Sequence, residues 1–170
     1  SFTAEEIWRE IPGEHDKTVF VSTWYEGLTA LDENTEMNSA YWAKMMEVRS
    51  AVAKQLEQLR NDKVIKGSLT AQVKLYADGD LFTDINKLGE ELRFVLITSG
   101  ASVQPLDMKD ENAIASEMDG LWVLASATEH VKCARCWHHR EEVGANEEHP
   151  ELCGRCIDNI VGKGETRNFA

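Results

Sequence analysis

The sequence predicts an α+β chain in three parts: a helical region over residues 1–64, a small α/β layer over residues 65–128, and a metal-held, ribbon-like four-cysteine module over residues 129–170. Three observations carry this reading. Apolar residues recur at three- and four-residue steps from Asn38 to Asp62, the signature of an amphipathic helix. They alternate with polar ones from Leu69 to Ala77, the signature of a half-buried strand. The chain's four cysteines fall as two Cys-x-x-Cys pairs, Cys133/Cys136 and Cys153/Cys156, with sixteen residues between them. That is a metal-site spacing.

Taken in order, Phe2–Ile11 reads as a short helix. Thr3 followed by Glu6 is a capping-box pattern, in which each side chain satisfies the other's backbone donor. Phe2, Ile7, Trp8 and Ile11 can share one apolar face, and Pro12-Gly13 stops the helix. After a polar loop, Val19-Phe20-Val21 and Trp24-Tyr25 form a short extended stretch whose aromatics are expected in the core.

The long helix follows. Asn38 suits its N-cap. Trp42, Met45, Val48, Val52, Leu56 and Leu59 make its apolar stripe, over roughly 40 Å at ~1.5 Å per residue. Lys44, Glu47, Lys54, Glu57 and Arg60 make a solvated opposite face. Gly67 closes the segment, and the strand over Leu69–Ala77 begins. Asp78-Gly79-Asp80 reads as a turn. Leu81, Ile85, Leu88 and Leu92 return to helical spacing. Phe94–Thr98, a short unbroken apolar run, reads as a buried strand. Pro105–Gly120 is acidic and reads as a loop with one helical turn at most. Leu121–Ser126 reads as a third strand, which runs through His130, Val131 and Lys132 into the first cysteine pair. The end, GKGETRNFA, is flexible at Gly162 and Gly164 and basic at Lys163 and Arg167. Phe169 is expected to dock on the cysteine module, with stacking on a base as the alternative.

The cysteine pattern carries the chemistry. A Cys-x-x-Cys turn aims two thiolates at one metal, and two such turns complete a closed tetrahedral site of four sulfurs. Cys133, Cys136, Cys153 and Cys156 are therefore read as ligands of one structural zinc ion. Gly154 suits a tight turn at the second pair. Arg135 and Arg155, at matching places in the two pairs, can offset the surplus negative charge of four thiolates on a divalent ion. Spacing alone does not separate zinc from iron, because both accept four sulfurs in a tetrahedron. Two disulfides would need an oxidising compartment, and a redox Cys-x-x-Cys normally occurs singly beside a βαβ pattern. His130, His138, His139 and His149 flank the site without being needed as ligands. A full site leaves no position for a catalytic water, so the metal holds structure.

Composition bounds the rest. With 42% apolar residues and five tryptophans, the chain is a packed protein. It has no run of about 18 apolar residues that would span a membrane and no signal-peptide pattern at its start. Metal-spaced thiols without a secretion signal point to the cytoplasm. The opening SFTAEEIW has the look of a sequence already under way. The net charge is −12, but residues 131–170 carry six basic and seven acidic side chains, so this part is near neutral and the excess lies upstream. A generic phosphate-binding protein would be basic overall, so any nucleic acid would meet a small patch. No catalytic residue is indicated: there is no phosphate-cradling glycine loop and no nucleotide fingerprint.

Several stretches resemble a known family. KCARCW (Lys132–Trp137), LCGRC (Leu152–Cys156) and the ending GETRNFA closely resemble the C-terminal end of bacterial isoleucyl-tRNA synthetases, class I aminoacyl-tRNA synthetases. FTAEEIWREIPG, VFVSTWYEG and the stretch from Val48 to Tyr76 resemble the end of that family's helical anticodon-binding domain and the strand after it. The resemblance covers essentially the whole chain and is most specific in the cysteine segment and the tail.

It implies an ATP-dependent ligase that joins isoleucine to its tRNA. The nucleotide-binding and editing parts lie upstream, so this segment by itself would be no enzyme. The family's zinc cysteines map onto Cys133, Cys136, Cys153 and Cys156. The segment would help hold the anticodon end of the tRNA. Taken with the residues themselves, this points to Arg135, Trp137, Arg155, Lys163 and Arg167 as the tRNA-facing set, with packing under the knuckle as the equal alternative for Trp137; Lys44 and Arg60 are expected on the solvated face, with tRNA contact as the lesser alternative. Its expected partners are isoleucine tRNA and the rest of the synthetase chain, in a monomer with no membrane contact. Two other readings stand beside this one. One is a zinc-stabilised module that braces the helical domain without touching tRNA; the other is a thiol-redox domain.

Overall fold

The computed structural model describes residues 2–169; Ser1 and Ala170, the ends of the first and last predicted parts, lie outside the described residues. Helix α1 spans Phe2–Glu10. A single 3-10 turn follows at Val19–Val21. The Glu5 carboxylate ties the two together, accepting from the Thr18 hydroxyl at 2.7 Å and the Val19 N–H at 3.1 Å. Trp8 stacks edge-on against His15 and donates its indole N–H to the Asp16 carbonyl.

Helix α2 runs Ser39–Asn61, with Asn38 as its N-cap: the side-chain oxygen accepts from the Tyr41 N–H. Tyr41, Met45, Val48, Val52 and Leu56 are buried along one stripe, while Trp42 and Leu59 sit at its margin. The opposite face is solvated but not idle, because Lys44 pairs with Asp84 at 2.6 Å and Lys54 pairs with Glu117.

The stripe packs on a four-stranded mixed sheet of order β2-β1-β4-β3. Strand β1, Ala71–Ala77, is central. It pairs parallel with β2, Gly100–Pro105, and antiparallel with β4, Leu121–Ala127. The two-residue strand β3, Ile114–Ala115, extends β4 on its far side. A parallel pair needs a crossover. It is supplied by α3, Gly79–Asn86, a 3-10 turn at Gly89–Glu91, and α4, Leu92–Leu96. Ile85, Leu88, Leu92, Val95 and Leu96 from this crossover close the core against Val73, Leu75, Leu121 and Val123.

Several expectations are corrected. Val19-Phe20-Val21 is a 3-10 turn and not an extended stretch. Pro105–Gly120 holds strand β3 besides its one helical turn. Phe94–Thr98 is not a strand. Residues 92–96 are helical, and Ile97 ends the helix in the left-handed conformation at φ 56°. A short apolar run looks the same in a buried helix and a buried strand, and periodicity does not separate them. The second strand is instead Gly100–Pro105, which ends in a proline, as an edge strand permits. The Asp78-Gly79-Asp80 turn is the start of α3, with Asp78 at the N-cap. The aromatics of the N-terminal segment are not core. Phe20, Trp24 and Tyr25 are 68%, 95% and 76% exposed, and no residue of α1 is buried. Residues 22–38 form no helix or strand that could cover them.

Candidate metal centre and nucleic-acid interface

Strand β4 leads into the cysteine module, which opens on a short bridge between Lys132 and His139. The turn between them is a knuckle. The Cys133 N–H donates to the His138 carbonyl at 2.9 Å and the Trp137 N–H to the Cys133 carbonyl at 3.0 Å. Trp137 closes it in the left-handed region at φ 67°. The second pair begins at Cys153, which caps helix α5, Gly154–Val161. The Cys153 N–H points at the Cys133 sulfur at 3.4 Å, so the two pairs are built against each other. Gly154 does not serve the tight turn expected of it. Its φ is not positive, and an added Cβ would meet only the Glu142 side chain, at 3.8 Å.

The four sulfurs lie within 4.8 Å of one another, and Cys136 and Cys153 are 3.6 Å apart. Tetrahedral thiolates at ~2.3 Å from a zinc ion stand about 3.8 Å from each other, so the donor set fits. Among the described residues this is the one grouping of three or more His, Cys, Asp or Glu side chains able to hold a metal ion. None of the four flanking histidines joins it.

The electrostatics make the same demand. Burial pushes the Cys153 and Cys156 thiols up. At Cys133 burial acts the same way, but backbone N–H groups at Cys136, Cys153 and Arg135 outweigh it and bring the thiol down to about 6. Four thiols packed this tightly cannot ionise together without a counter-charge, and a divalent cation supplies one. Arg135 contributes, donating to the Cys156 sulfur at 3.7 Å. His138 is held neutral: burial lowers its pKa, as does Arg155 beside it.

The residues expected to face nucleic acid divide into two sets. Trp137 stands on the first knuckle, 60% exposed, with the Lys132 ammonium 5.4 Å from its ring. Arg135, also exposed, lies two residues before it. Lys163 is exposed after α5. Arg155, half-buried, and Arg167, still exposed, belong to the second set, engaged by the chain's own groups. Both pair with Glu165, at 3.1 and 3.4 Å, and both guanidinium groups lie over the Phe94 ring, at 5.2 and 4.0 Å.

Sequence reasoning missed the residues that join the module to the sheet. Ser99, fully buried, donates its hydroxyl to the Leu69 carbonyl and accepts from the His139 N–H at 2.6 Å. Its own carbonyl accepts from Arg140 at 3.3 Å. Phe94 packs edge-on against His138 and is flanked by Arg93. A serine before a glycine and a phenylalanine in an apolar run carry no such signal.

A family model described as a zinc finger found in FPG and IleRS matches residues 132–159, the span that holds all four cysteines. The whole chain is 51% identical to the isoleucine–tRNA ligase of Pseudomonas putida and 54% identical to that of Aliivibrio fischeri. Against the enzyme of Hahella chejuensis it is 53% identical over 171 residues. The chain matches the C-terminal segment of bacterial isoleucine–tRNA ligases from end to end. It spans about a fifth of these relatives' length, 18%. No helix among the described residues is long and apolar enough to cross a membrane.

Proposed function

We propose that Cys133, Cys136, Cys153 and Cys156 hold one structural zinc ion, and that the finger they form is part of the tRNA-binding surface of an isoleucine–tRNA ligase. The parent chain would join isoleucine to its tRNA with ATP. This segment contributes no group to that chemistry and binds no ATP. Residues 1–64 would end the helical anticodon-binding domain, residues 65–128 would form a junction, and residues 129–170 the finger. The setting is a cytoplasmic monomer.

The observation that carries the tRNA reading is Trp137. A large aromatic side chain, 60% exposed at the tip of a knuckle, is held there by a left-handed backbone rather than packed beneath it. Unpaired loop bases are recognised by stacking on such rings and by hydrogen bonds to their edges. Lys132 and Arg135 beside it supply phosphate partners. The zinc ion's part would be to fix the knuckle that carries the ring. The near-neutral charge of residues 131–170 suits a local contact better than a general grip on phosphates.

A second reading, in which the finger only braces the junction, draws on Arg155 and Arg167. Their engagement with Glu165 and Phe94 serves the fold. The two readings part at Trp137→Ala and Arg135→Ala placed in the full-length ligase. The tRNA reading expects KM for tRNA to rise about tenfold or more for Trp137→Ala, the cost of one lost base stack of ~1–3 kcal/mol. Zinc content and amino-acid activation should be unchanged. An unaltered KM for both variants leaves the bracing reading in its place.

A further inference from the structure

The tail after α5 follows a defined path. Two N–H groups, of Gly162 and Gly164, turn back onto the Asp158 carbonyl at 3.1 and 3.0 Å. A Cβ on Gly162 would sit 2.8 Å from that same carbonyl oxygen, so this turn requires a glycine. Asn159 and Glu165 then bond reciprocally. The Asn159 side-chain oxygen accepts from the Glu165 N–H at 3.0 Å, and its amide donates to the Glu165 carboxylate at 3.1 Å. Glu165 pairs with Arg155 and Arg167, and Arg167 lies over the face of Phe94 on α4. Beyond it, the N–H groups of Asn168 and Phe169 donate to the two oxygens of Glu91, each at 2.7 Å.

Glu91 gives this path its meaning. It is the one charged side chain among the described residues that is buried, at 9% exposure. A carboxylate is costly to bury unless it is well hydrogen-bonded. Its two oxygens accept from consecutive N–H groups of a segment 77 and 78 positions away in sequence. The tail both covers the carboxylate and supplies donors to it. Phe94, three residues on, receives guanidinium groups from α5 and from the tail. The 3-10 turn and α4 thus form a receptor for the tail at the seam between sheet and finger.

We infer that residues 165–169 are a strap that docks on Glu91 and Phe94 and clamps the cysteine module to the sheet. Glu91 is the strap's positioning residue, and through Glu165 the strap fixes Arg155 and Arg167. The docking stands on the fold alone; its consequence for metal retention rests on the zinc reading. It also revises the expectation for Phe169, which docks through its backbone on the sheet layer and not on the cysteine module.

The test uses the metal-loaded chain without RNA, so its result is independent of the tRNA reading. Amide hydrogen exchange is followed at Asn168 and Phe169, and metal release to an excess of chelator is timed. In the unaltered chain both amides are protected. Glu91→Gln, which keeps the shape but swaps one acceptor for a donor, should speed their exchange about tenfold or more, the scale of one lost charge-assisted hydrogen bond. β1 and β4 amides should be unmoved, and metal release should quicken severalfold. Asn168→Pro, which removes a donor and leaves Glu91 in place, should do the same at Phe169; it decides the matter if Glu91→Gln does not fold. Combining Glu91→Gln with removal of residues 165–170 should add nothing to the removal alone. Coil-like exchange at Phe169 in the unaltered chain overturns the strap. Lost protection with unchanged metal release overturns the clamp.

Discussion

The sheet layer and the cysteine module are held by different physics. The sheet core draws Met45, Val48 and Val52 from α2, Val73 and Leu75 from β1, Ile85 and Leu92 from the crossover, and Leu121 and Val123 from β4, all buried together. The module buries Val143 and Leu152 beside its cysteines, with Ile157 half-buried against them. Burying a valine or leucine stabilises by ~1.5–3 kcal/mol, and ordering each residue's backbone costs ~1–2 kcal/mol. Two such side chains cannot order a module of this length. The sheet holds itself by apolar burial, whereas the module needs other means: the metal that its four clustered thiols fit, and Ser99, Phe94 and Glu91 at the seam.

The comparison breaks most visibly at the metal. Structural zinc contributes ~10–16 kcal/mol of apparent binding free energy to finger-sized peptides. Chelation, or Cys156→Ser, should therefore melt residues 131–161 while β1, β4 and α2 keep their amide protection. Residue-resolved hydrogen exchange reads this directly. If sheet and module melt together, the seam couples them into one cooperative unit and the contrast fails.

A core truncation should do the reverse. Leu75 is fully buried on the central strand. Leu75→Ala should cost ~2–5 kcal/mol by loss of transfer energy and the cavity left behind. It should lower the urea midpoint of the sheet layer and leave the rate of metal release from the still-folded chain unchanged. A matching rise in metal release would mean that the module borrows its stability from the sheet.

The same contrast decides what could be read from the sequence. α2 was legible to the residue, N-cap included, because an amphipathic stripe is periodic and Asn38 is a local signal. The cysteine cluster was legible because Cys-x-x-Cys fixes geometry within four residues. β1 and β4 were legible by alternation and apolar content. What failed is what depends on distant partners. Phe94–Thr98 read as a strand where helix α4 ends, because a buried apolar run has no polar face to reveal its period, and strand Gly100–Pro105 went unread. Phe20, Trp24 and Tyr25 read as core, yet nothing among the described residues covers them. Glu91 carries no local signal that sets it apart from Glu90; its burial goes with a tail 77 residues away. Arg155 read as a twin of Arg135 because they share a place in the motif, but α5 turns Arg155 inward to Glu165 while Arg135 stays exposed at the first knuckle.

The smallest effect sharpens the contrast by staying on one side of it. The Asn38 side-chain oxygen accepts from the Tyr41 N–H at 3.1 Å at the start of α2. Asn38→Ala leaves that donor without its cap and should cost about 1 kcal/mol, while Asn38→Asp should keep most of the stability, since a carboxylate accepts the same bond and favours a helix N-terminus. Because Tyr41 and Met45, in the first turns, are buried in the sheet core, the loss should appear in the urea midpoint of the sheet layer. The module has no contact with this end of α2 through any hydrogen bond or ion pair described above, so metal retention should be the same in both variants. A cap effect that reached the metal would show that stability passes through the seam even at a scale of about 1 kcal/mol, far below the cost of unseating a zinc ion.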